Sequence, residues 1–466
     1  MTLHWTERLA EWAGPMVVKE LRQGLRAKVF GVVFGLLLVV CLVVAVVAYG
    51  QANGAVGTAL GARFVVVYLL ALGLVAFFVI PFAAFRSMLR EVEGETWSLL
   101  ILTGLDSRDI LRGKWLTSMS QAALFASACA PFVLFSYELN GVELPQVVVA
   151  LVVCAVWSGT LTALAIGLAT QARSRLANST SSVSIIGVLL VAMWAGDAVM
   201  GWLVDSPYSL SRGSALLLPV ATLALGTTAL ALESAAASLR LPTELARARP
   251  RVALLLTMVS TLAVTALMFV RVRGGRDGAT FGALGLGFYL VLVGLFAISE
   301  SDGYPPHAPR GPLVRPGALR SFLLVAVLLV LMAGTFVGCL RVVGLDGRAL
   351  RSVVASAAYP LLYLSLAVIV GRWRVFERFG VALATRVAFL SLVALGFIVP
   401  MLFCLFTGQQ LNARGPNTFN PFLGLANFVD DVGFEFDWNL KVLAATALFA
   451  AGCATVVLSR RDGAWK

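Results

Sequence analysis

The feature that most constrains the fold of this chain is a series of long apolar runs that fills most of the sequence. A helix needs about twenty apolar residues to cross the hydrocarbon core of a bilayer, and about twelve runs approach that length. The sequence therefore predicts an all-α polytopic membrane protein with about twelve transmembrane helices. The predicted spans lie near residues 29–50, 62–85, 115–137, 146–170, 179–203, 215–239, 252–270, 279–299, 321–343, 351–371, 387–407 and 440–459.

Composition supports this class over the soluble domains that a length of 466 residues would otherwise suggest. The chain is 59% hydrophobic and only 13% charged, which is typical of membrane proteins. A net charge of +12 could indicate a nucleic-acid partner. The cations lie mainly in short loops between the apolar runs, however, so we expect a lipid bilayer and no nucleic acid as partner.

The distribution of these cations also predicts the orientation. Arginine and lysine concentrate in alternate loops, whereas the opposite loops hold fewer cations and end in an acidic segment. Because cation-rich loops remain in the cytoplasm, we expect a multi-pass protein of the cell membrane, in a bacterial inner membrane, with cytoplasmic N- and C-termini. The segment 271–276 departs from the rule, since it places three arginines in a predicted outer loop.

Residues 1–28 hold no long apolar run and are predicted to form a tail followed by an amphipathic helix. Apolar residues from position 17 onward follow a helical spacing, and Lys19, Arg22 and Arg26 lie toward the other side. This pattern favours an interfacial helix whose cations lie near anionic headgroups. A solvated N-terminal tail is the alternative.

The predicted spans form two six-span regions, residues 29–240 and 241–466, and the first contains a distinctive loop at residues 86–114. We predict two short helices in this loop, joined by a bend at Thr103-Gly104, with Asp106 or Ser107 capping the second. Exposed apolar residues on a cytoplasmic loop usually contact a partner; packing against the protein's own inner helices is the alternative. The residues assigned to this predicted functional centre are Glu91, Glu93, Glu95, Thr96, Trp97, Leu100, Ile101, Arg108, Ile110 and Lys114.

The sequence shows no motif for nucleotide binding, catalysis or metal binding. A nucleotide-binding loop of the form G-x-x-x-x-G-K-[ST] does not occur, because Gly113-Lys114 is followed by Trp115 and Arg108 stands where the first glycine belongs. The six cysteines lie in apolar runs, and the two histidines, His4 and His307, are far apart. We therefore expect no catalytic residues, no metal and no cofactor in this chain.

Two acidic residues fall within predicted spans, where charge is costly and often functional. Asp197 lies toward the outer end of its span, and Glu233 lies near the cytoplasmic end, where it could pair with Arg240. An ion-coupled carrier would need such a residue near the middle of the membrane, beside broken helices. We therefore favour structural pairing over transport chemistry for both residues.

Together these features resemble the permease subunits of type-2 ABC exporters. In that family the loop after the second span reads approximately Glu, a few residues, Gly-Thr, Leu-Leu, Thr-Pro-Leu, then Ile and Gly-Lys before the third span. The chain departs from this pattern at Glu95, where the family commonly has glycine, and at Gly104, where it commonly has proline. The residues at matching positions are Glu91, Thr96, Leu99, Leu100, Thr103, Leu105, Ile110, Gly113 and Lys114.

The resemblance covers about residues 15–240 and extends beyond this loop. Pro131 in the third span, Gly141-Val142 in the next outer loop and residues 173–177 after the fourth span also match. The segment that begins at Pro15 looks like the connecting helix that precedes the first span in these permeases.

The resemblance implies a permease component of an ATP-driven exporter, with ATP bound by a separate ABC ATPase subunit, as a dimer, and not by this chain. The loop at residues 86–114 would be its ATPase-coupling loop. Family transporters usually assemble two six-span units, so a second permease chain is a further implied partner unless residues 241–466 replace it. The implied roles are rim ion pairs for Glu91, Glu93, Glu95 and Arg108, a buried centre for Trp97, Leu100 and Ile101, and a flanking position for Lys19, Arg22 and Arg26.

Two other functions remain open on the sequence. An ion-coupled secondary transporter is favoured by the number of spans but disfavoured by the lack of a midplane acidic residue or an evident repeat. A membrane-embedded transferase for lipid-linked substrates would need catalytic carboxylates in an outer loop, where Asp430-Asp431 is the candidate pair. The sequence does not name the cargo, because apolar cavity walls suit lipids, lipid-linked sugars, drugs and peptides equally.

Overall fold

The structure, a computed structural model of the chain, is almost entirely helical in the residues that it describes, and it contains no β-strand among them. Those residues are 17–52, 60–93, 106–138, 143–171, 175–205, 209–239, 248–272, 276–298, 317–344, 347–373, 375, 380–408, 416–430 and 435–463.

The chain divides into two compact units, Met1–Thr257 and Met258–Lys466, and the boundary falls within one helix, α9 (Ala248–Val272). The first unit begins with a short helix, α1, at residues 17–26. It continues with α2 (Lys28–Ala52), α3 (Leu60–Gly73), a π-helical turn (Leu74–Val79), α4 (Ile80–Glu93), α5 (Ser107–Glu138), α6 (Leu144–Gln171), α7 (Arg175–Asp205) and α8 (Ser209–Leu239). After α9 the second unit has α10 (Arg276–Ile298), α11 (Ala318–Val343), α12 (Gly347–Gly371), α13 (Val381–Thr407), a 3₁₀ turn (Pro416–Phe419), α14 (Leu423–Asp430) and α15 (Glu435–Gly463).

Twelve helices in the described part of the chain are long and apolar enough to cross a membrane, when α3, the π-helical turn and α4 are counted as one span. Only α1 and α14 are too short to do so. In hydrocarbon each backbone N–H and C=O group must bond within the protein, and a helix meets this requirement by itself. The prediction of an all-α, multi-pass membrane protein is therefore confirmed.

The second span differs from the continuous helix predicted at residues 62–85. α3 ends at Gly73, and the π-helical turn Leu74–Val79 separates it from α4. At the end of this turn the N–H of Ile80 bonds to the carbonyl oxygen of Val75, five residues back instead of four. Such turns are rare, and they occur frequently at functional sites.

α6 lies at the centre of the first unit, where it contacts α4, α5, α7 and α8. Half of its apolar span is buried. Its buried face carries small and hydroxyl side chains from Ser158 to Ala165, which allow neighbouring helices to approach closely. The hydroxyl of Thr160 lies 3.1 Å from that of Thr228 on α8. As a result α4, α5 and α8, which carry most of the candidate site, pack on one central helix.

α12 lies at the centre of the second unit and contacts α10, α11, α13, α14 and α15. Of the spanning helices it is the most buried, with 72% of its apolar window inside the protein. The hydroxyls of Tyr359 and Tyr363 donate hydrogen bonds to the carbonyl oxygens of Thr418 and Phe419, at 2.7 and 2.6 Å. These bonds attach the 3₁₀ turn before α14 to the core of the unit.

Candidate functional site

The ammonium group of Lys114, near the start of α5, is buried and bound by three acceptors. Its Nζ lies 2.7 Å from Oε1 of Glu91, 3.0 Å from Oγ of Ser87 and 3.2 Å from Oε1 of Glu20. A lysine has three donor hydrogens, so the three acceptors match its capacity. Ser87 and Glu91 belong to α4 and Glu20 to α1, so Lys114 connects the end of α4, the start of α5 and the interfacial helix.

A second set of ion pairs joins α5 to α8. Arg108, in the first turn of α5, donates a hydrogen bond to Oε2 of Glu233, and Arg112 lies 3.8 Å from Oε1 of the same carboxylate. The side chains of Arg108 and Glu233 are mostly buried, whereas that of Arg112 is 59% exposed. The sequence suggested Arg240 as the partner of Glu233; the structure places it beside Arg108, and Arg240 lies outside the described residues. We call Glu20, Ser87, Glu91, Arg108, Lys114 and Glu233 the loop base.

The predicted coupling loop is only partly described. Glu93 is exposed at the end of α4, whereas Ile110 of α5 is fully buried. Residues 94–105 lie outside the described part of the chain, and they include Glu95, Thr96, Trp97, Leu100 and Ile101.

The prediction of a second short helix within this loop is wrong. A helix does begin at Ser107, and the carbonyl oxygen of Asp106 accepts the N–H of Ile110 at its start, but that helix is α5 itself. Gly113 does not end it, because a glycine within a helix costs only about 1 kcal/mol relative to alanine. Ile110 and Lys114 are therefore buried parts of the third span and not the surface of a separate knob.

α1 lies in the segment that the sequence predicted as an interfacial helix. Lys19, Arg22 and Arg26 are exposed on one side. On the other side the amide of Gln121 from α5 lies against Gly24, where a β-carbon would overlap it. This glycine and the ion pair of Glu20 with Lys114 hold α1 on α5.

Asp197 of α7 differs from the charged residues of the loop base. Its Oδ1 atom is buried and has no hydrogen-bond partner among the described residues, and no ion pair there involves it. The atom lies against Gly73, where α3 meets the π-helical turn. The structural pairing expected for Asp197 is therefore wrong within the described part of the chain, because no described cation reaches this point. We call Asp197, Gly73 and the turn Leu74–Val79 the Asp197 junction.

Three residues of the site were not assigned from the sequence. Ser87 lies one helical turn before Glu91 and therefore on the same face of α4, a spacing that was visible. Glu20 stands out in the sequence as the one carboxylate among the cations of residues 15–28. Arg112 follows Arg108 by one turn, so that both could reach one carboxylate.

Comparison with known proteins adds no family to these observations. No protein-family model, no curated protein and no solved structure matches the chain. Among the described residues no group of three or more His, Cys, Asp and Glu side chains could hold a metal ion. Of the carboxylate pair considered for a transferase, Asp430 ends α14 and Asp431 lies outside the described residues.

Proposed function

We propose that this chain is the membrane-spanning permease component of an ATP-driven exporter, and that the segment between α4 and α5 couples it to a separate ATPase subunit. The observation that carries the proposal is the position of Lys114, which binds Glu91 of α4 and Glu20 of α1 from the start of α5. A coupling loop must transmit a displacement to the spans instead of absorbing it. Two loop ends that are joined by a buried ion pair meet this requirement, because they move together.

The ion pair of Arg108 with Glu233 extends the same connection to α8. Since α4, α5 and α8 all contact α6, a displacement of the loop base acts on the helices around the centre of the first unit. Coupling further requires that the partner contact the loop differently in two states of its own cycle. An ATPase that dimerises when it binds ATP supplies such states.

The structure favours a division of roles within the predicted site. Glu91 and Arg108 are engaged within the chain, so we assign them as positioning residues of the loop base. The partner contact then falls to the segment 93–105 between them, with apolar side chains at its centre, where binding energy usually concentrates. The central residues are Trp97, Leu100 and Ile101, and the residues of the rim are Glu93, Glu95 and Thr96.

This function places the loop in the cytoplasm of a bacterial cell, and the chain in its inner membrane. ATP is bound by the partner, an ABC ATPase dimer, and a second permease chain completes the transporter unless the second unit replaces it. The exposed Lys19, Arg22 and Arg26 of α1 lie at the membrane surface beside the same partner, where anionic headgroups attract them.

The test is co-purification of the protein in mild detergent from its native membrane, with a search for a bound ATPase. Wild type is compared with the double variant Trp97→Ala/Ile101→Glu, which removes one predicted anchor and places a charge on another. We expect the ATPase to accompany wild type and to be lost from the variant, because burying an unpaired glutamate opposes the contact.

The matched control is Trp373→Ala, which removes an exposed tryptophan (66% exposed) two residues after the end of α12. This variant is expected to retain the ATPase, and both variants must elute from size exclusion like wild type. If no ATPase accompanies wild type even after cross-linking, the proposed function is wrong. If the two variants lose it equally, the loop is not the contact.

A further inference from the structure

The Asp197 junction carries an inference that goes beyond the proposed function. Asp197 lies within a candidate membrane span, Ile185–Val204, and its Oδ1 atom is buried without a hydrogen-bond partner among the described residues. Glu233 provides the contrast, since it also lies in a candidate span but is paired with Arg108. A half-buried aspartate in a candidate span, with one buried oxygen that has no hydrogen-bond partner among the described residues, is therefore the feature to explain.

The carboxyl lies at a close helix contact that two glycines permit, because neither has a side chain. A β-carbon at Gly73 would overlap Oδ1 of Asp197, so the oxygen occupies the space that a side chain at position 73 would fill. A β-carbon at Gly196 would lie 2.7 Å from a ring carbon of Phe77 and 2.9 Å from one of Trp157. α7 therefore packs closely against the π-helical turn at residues 196 and 197.

Two polar groups of α6 that contact α7 and the π-helical turn already donate to backbone carbonyl oxygens. The hydroxyl of Ser158 on α6 donates to the carbonyl oxygen of Ala76 in the π-helical turn, at 2.7 Å. The indole N–H of Trp157 donates to the carbonyl oxygen of Ala192 on α7, at 3.0 Å. Each of these donors has a single hydrogen, so neither remains for the carboxyl of Asp197.

The titratable groups on the helices packed against α7 do not provide a counterion. α6 carries one titratable group, the thiol of Cys154, which is buried and uncharged. On α3, Tyr68 is fully buried and Arg63 is exposed, ten residues before Gly73. The charged residues of α4 begin at residue 86 and lie at the far end of that helix, as Arg86, Arg90, Glu91 and Glu93. On α7 itself the charged residues stand at its two ends, Arg175 and Asp205.

An ionised carboxylate without a counterion or a hydrogen-bond donor is strongly disfavoured in hydrocarbon, and such groups take up a proton instead. We propose that Asp197 is an intramembrane proton-binding site, which holds its proton while α7 is packed against the π-helical turn. Loss of the proton would leave a charge against Gly73, and that charge favours separation of α7 from the turn. The site thereby links protonation to the packing of two spans.

α4 connects the π-helical turn of the proton-binding site to the loop base. α4 begins directly after the π-helical turn. Its second half carries Ser87 and Glu91, which bind Lys114. A change in packing at Gly73 therefore acts on the same span that reaches the loop. The inference does not rest on an ATPase partner, since the proton site is defined by the residues of the first unit alone.

The experiment is labelling of the purified, detergent-solubilised protein with dicyclohexylcarbodiimide, an apolar reagent that attacks protonated carboxyl groups, followed by peptide mass spectrometry. We expect an adduct on Asp197 and none on Glu233, whose carboxylate is bound by Arg108. Labelling of Asp197 should fall severalfold between about pH 6 and about pH 9, because only the neutral acid reacts and its fraction falls with pH. Asp197→Asn should lose the adduct and keep the elution profile of wild type.

Access of the reagent is checked by an independent measurement, the infrared carbonyl band of a protonated carboxylic acid in wild type against Asp197→Asn. The inference is overturned if this difference band and the adduct are both missing at about pH 6. It is also overturned if Glu233 is labelled as fast as Asp197. Protection of Asp197 by sodium at constant pH and ionic strength would identify a cation site and contradict the proton assignment.

Discussion

The first unit buries charge in two ways, and the contrast between them separates structural from switchable groups. At the loop base the ammonium of Lys114 meets three acceptors, and Arg108 meets Glu233. At the Asp197 junction one carboxyl oxygen meets a glycine and no donor among the described residues. A paired charge resists change, because removing either partner leaves the other buried alone. A lone carboxyl changes its charge by gaining or losing one proton.

This difference matches what each region would have to do in a transporter. The loop base joins α1, α4, α5 and α8 and is suited to transmit a displacement without deforming. The Asp197 junction lies at an irregular turn within a span, and turns of this kind occur frequently at functional sites. The predictions that follow test whether the two regions differ in stability as this comparison requires.

The largest effect is expected for Lys114→Ala. This change leaves the carboxylates of Glu20 and Glu91 without their shared counterion, and breaking a buried pair in this way costs about 3–5 kcal/mol. The free energy of unfolding in mixed micelles, measured by titration with sodium dodecyl sulfate, should fall by that amount. Lys19→Ala is the control, because Lys19 is exposed on α1 and surface changes usually stay within about 0.5 kcal/mol. Equal losses in the two variants would contradict the loop base.

The next effect concerns Gly73→Ala at the Asp197 junction. The added β-carbon overlaps Oδ1 of Asp197, and such overpacking typically costs about 1–3 kcal/mol. Gly201→Ala on α7 is the matched control, since nothing lies within 4 Å of a β-carbon there. This control should be neutral or stabilising by up to about 1 kcal/mol, because alanine favours helix over glycine.

The clash at Gly73 also predicts a rescue. Shortening the partner in Gly73→Ala/Asp197→Ala makes room for the new methyl group, so the double variant should recover most of the stability lost by Gly73→Ala. Strict additivity of the two changes would show that residues 73 and 197 do not touch.

A smaller effect distinguishes the two arginines of α5. In double-mutant cycles with Glu233→Ala, Arg108→Ala should show a coupling of about 1–2 kcal/mol, because that pair is mostly buried. Arg112→Ala should show less than about 0.5 kcal/mol, as exposed ion pairs do, since its side chain is 59% exposed and 3.8 Å from the carboxylate. A larger coupling for Arg112 would reverse the assignment of Arg108 as the positioning residue.

Much of the fold could be predicted from the sequence, because the length and polarity of each apolar run determine whether it can cross a membrane. The start of α5 at Ser107 was also predictable from its turn and capping signals, whereas its continuation into the third span was not. The prediction of a separate short helix failed because nothing between Ser107 and the third span breaks a helix.

The pairings within the site could not be predicted, since they join residues that are distant in the chain. Glu233 and Arg108 are separated by 125 positions and Lys114 and Glu20 by 94, so only the packing of the helices brings them together. The π-helical turn was equally hidden, because Leu74–Val79 is an uninterrupted apolar run. It begins directly after Gly73, where Asp197 of α7 makes a contact that the sequence pattern does not reveal.

The smallest expected effect is the change in stability of Asp197→Asn, and its dependence on pH is the sharpest test of the comparison. Near about pH 6 the amide replaces a neutral acid of the same shape, so the free energy of unfolding should change by less than about 1 kcal/mol. Toward about pH 9 wild type should lose stability relative to the variant, because loss of the proton leaves a charge at the packed contact and the amide carries none. Glu233→Gln should be destabilising already near about pH 6, because it removes one partner of a mostly buried ion pair. Parallel pH profiles for the two variants would show that both carboxyls are buried in the same way.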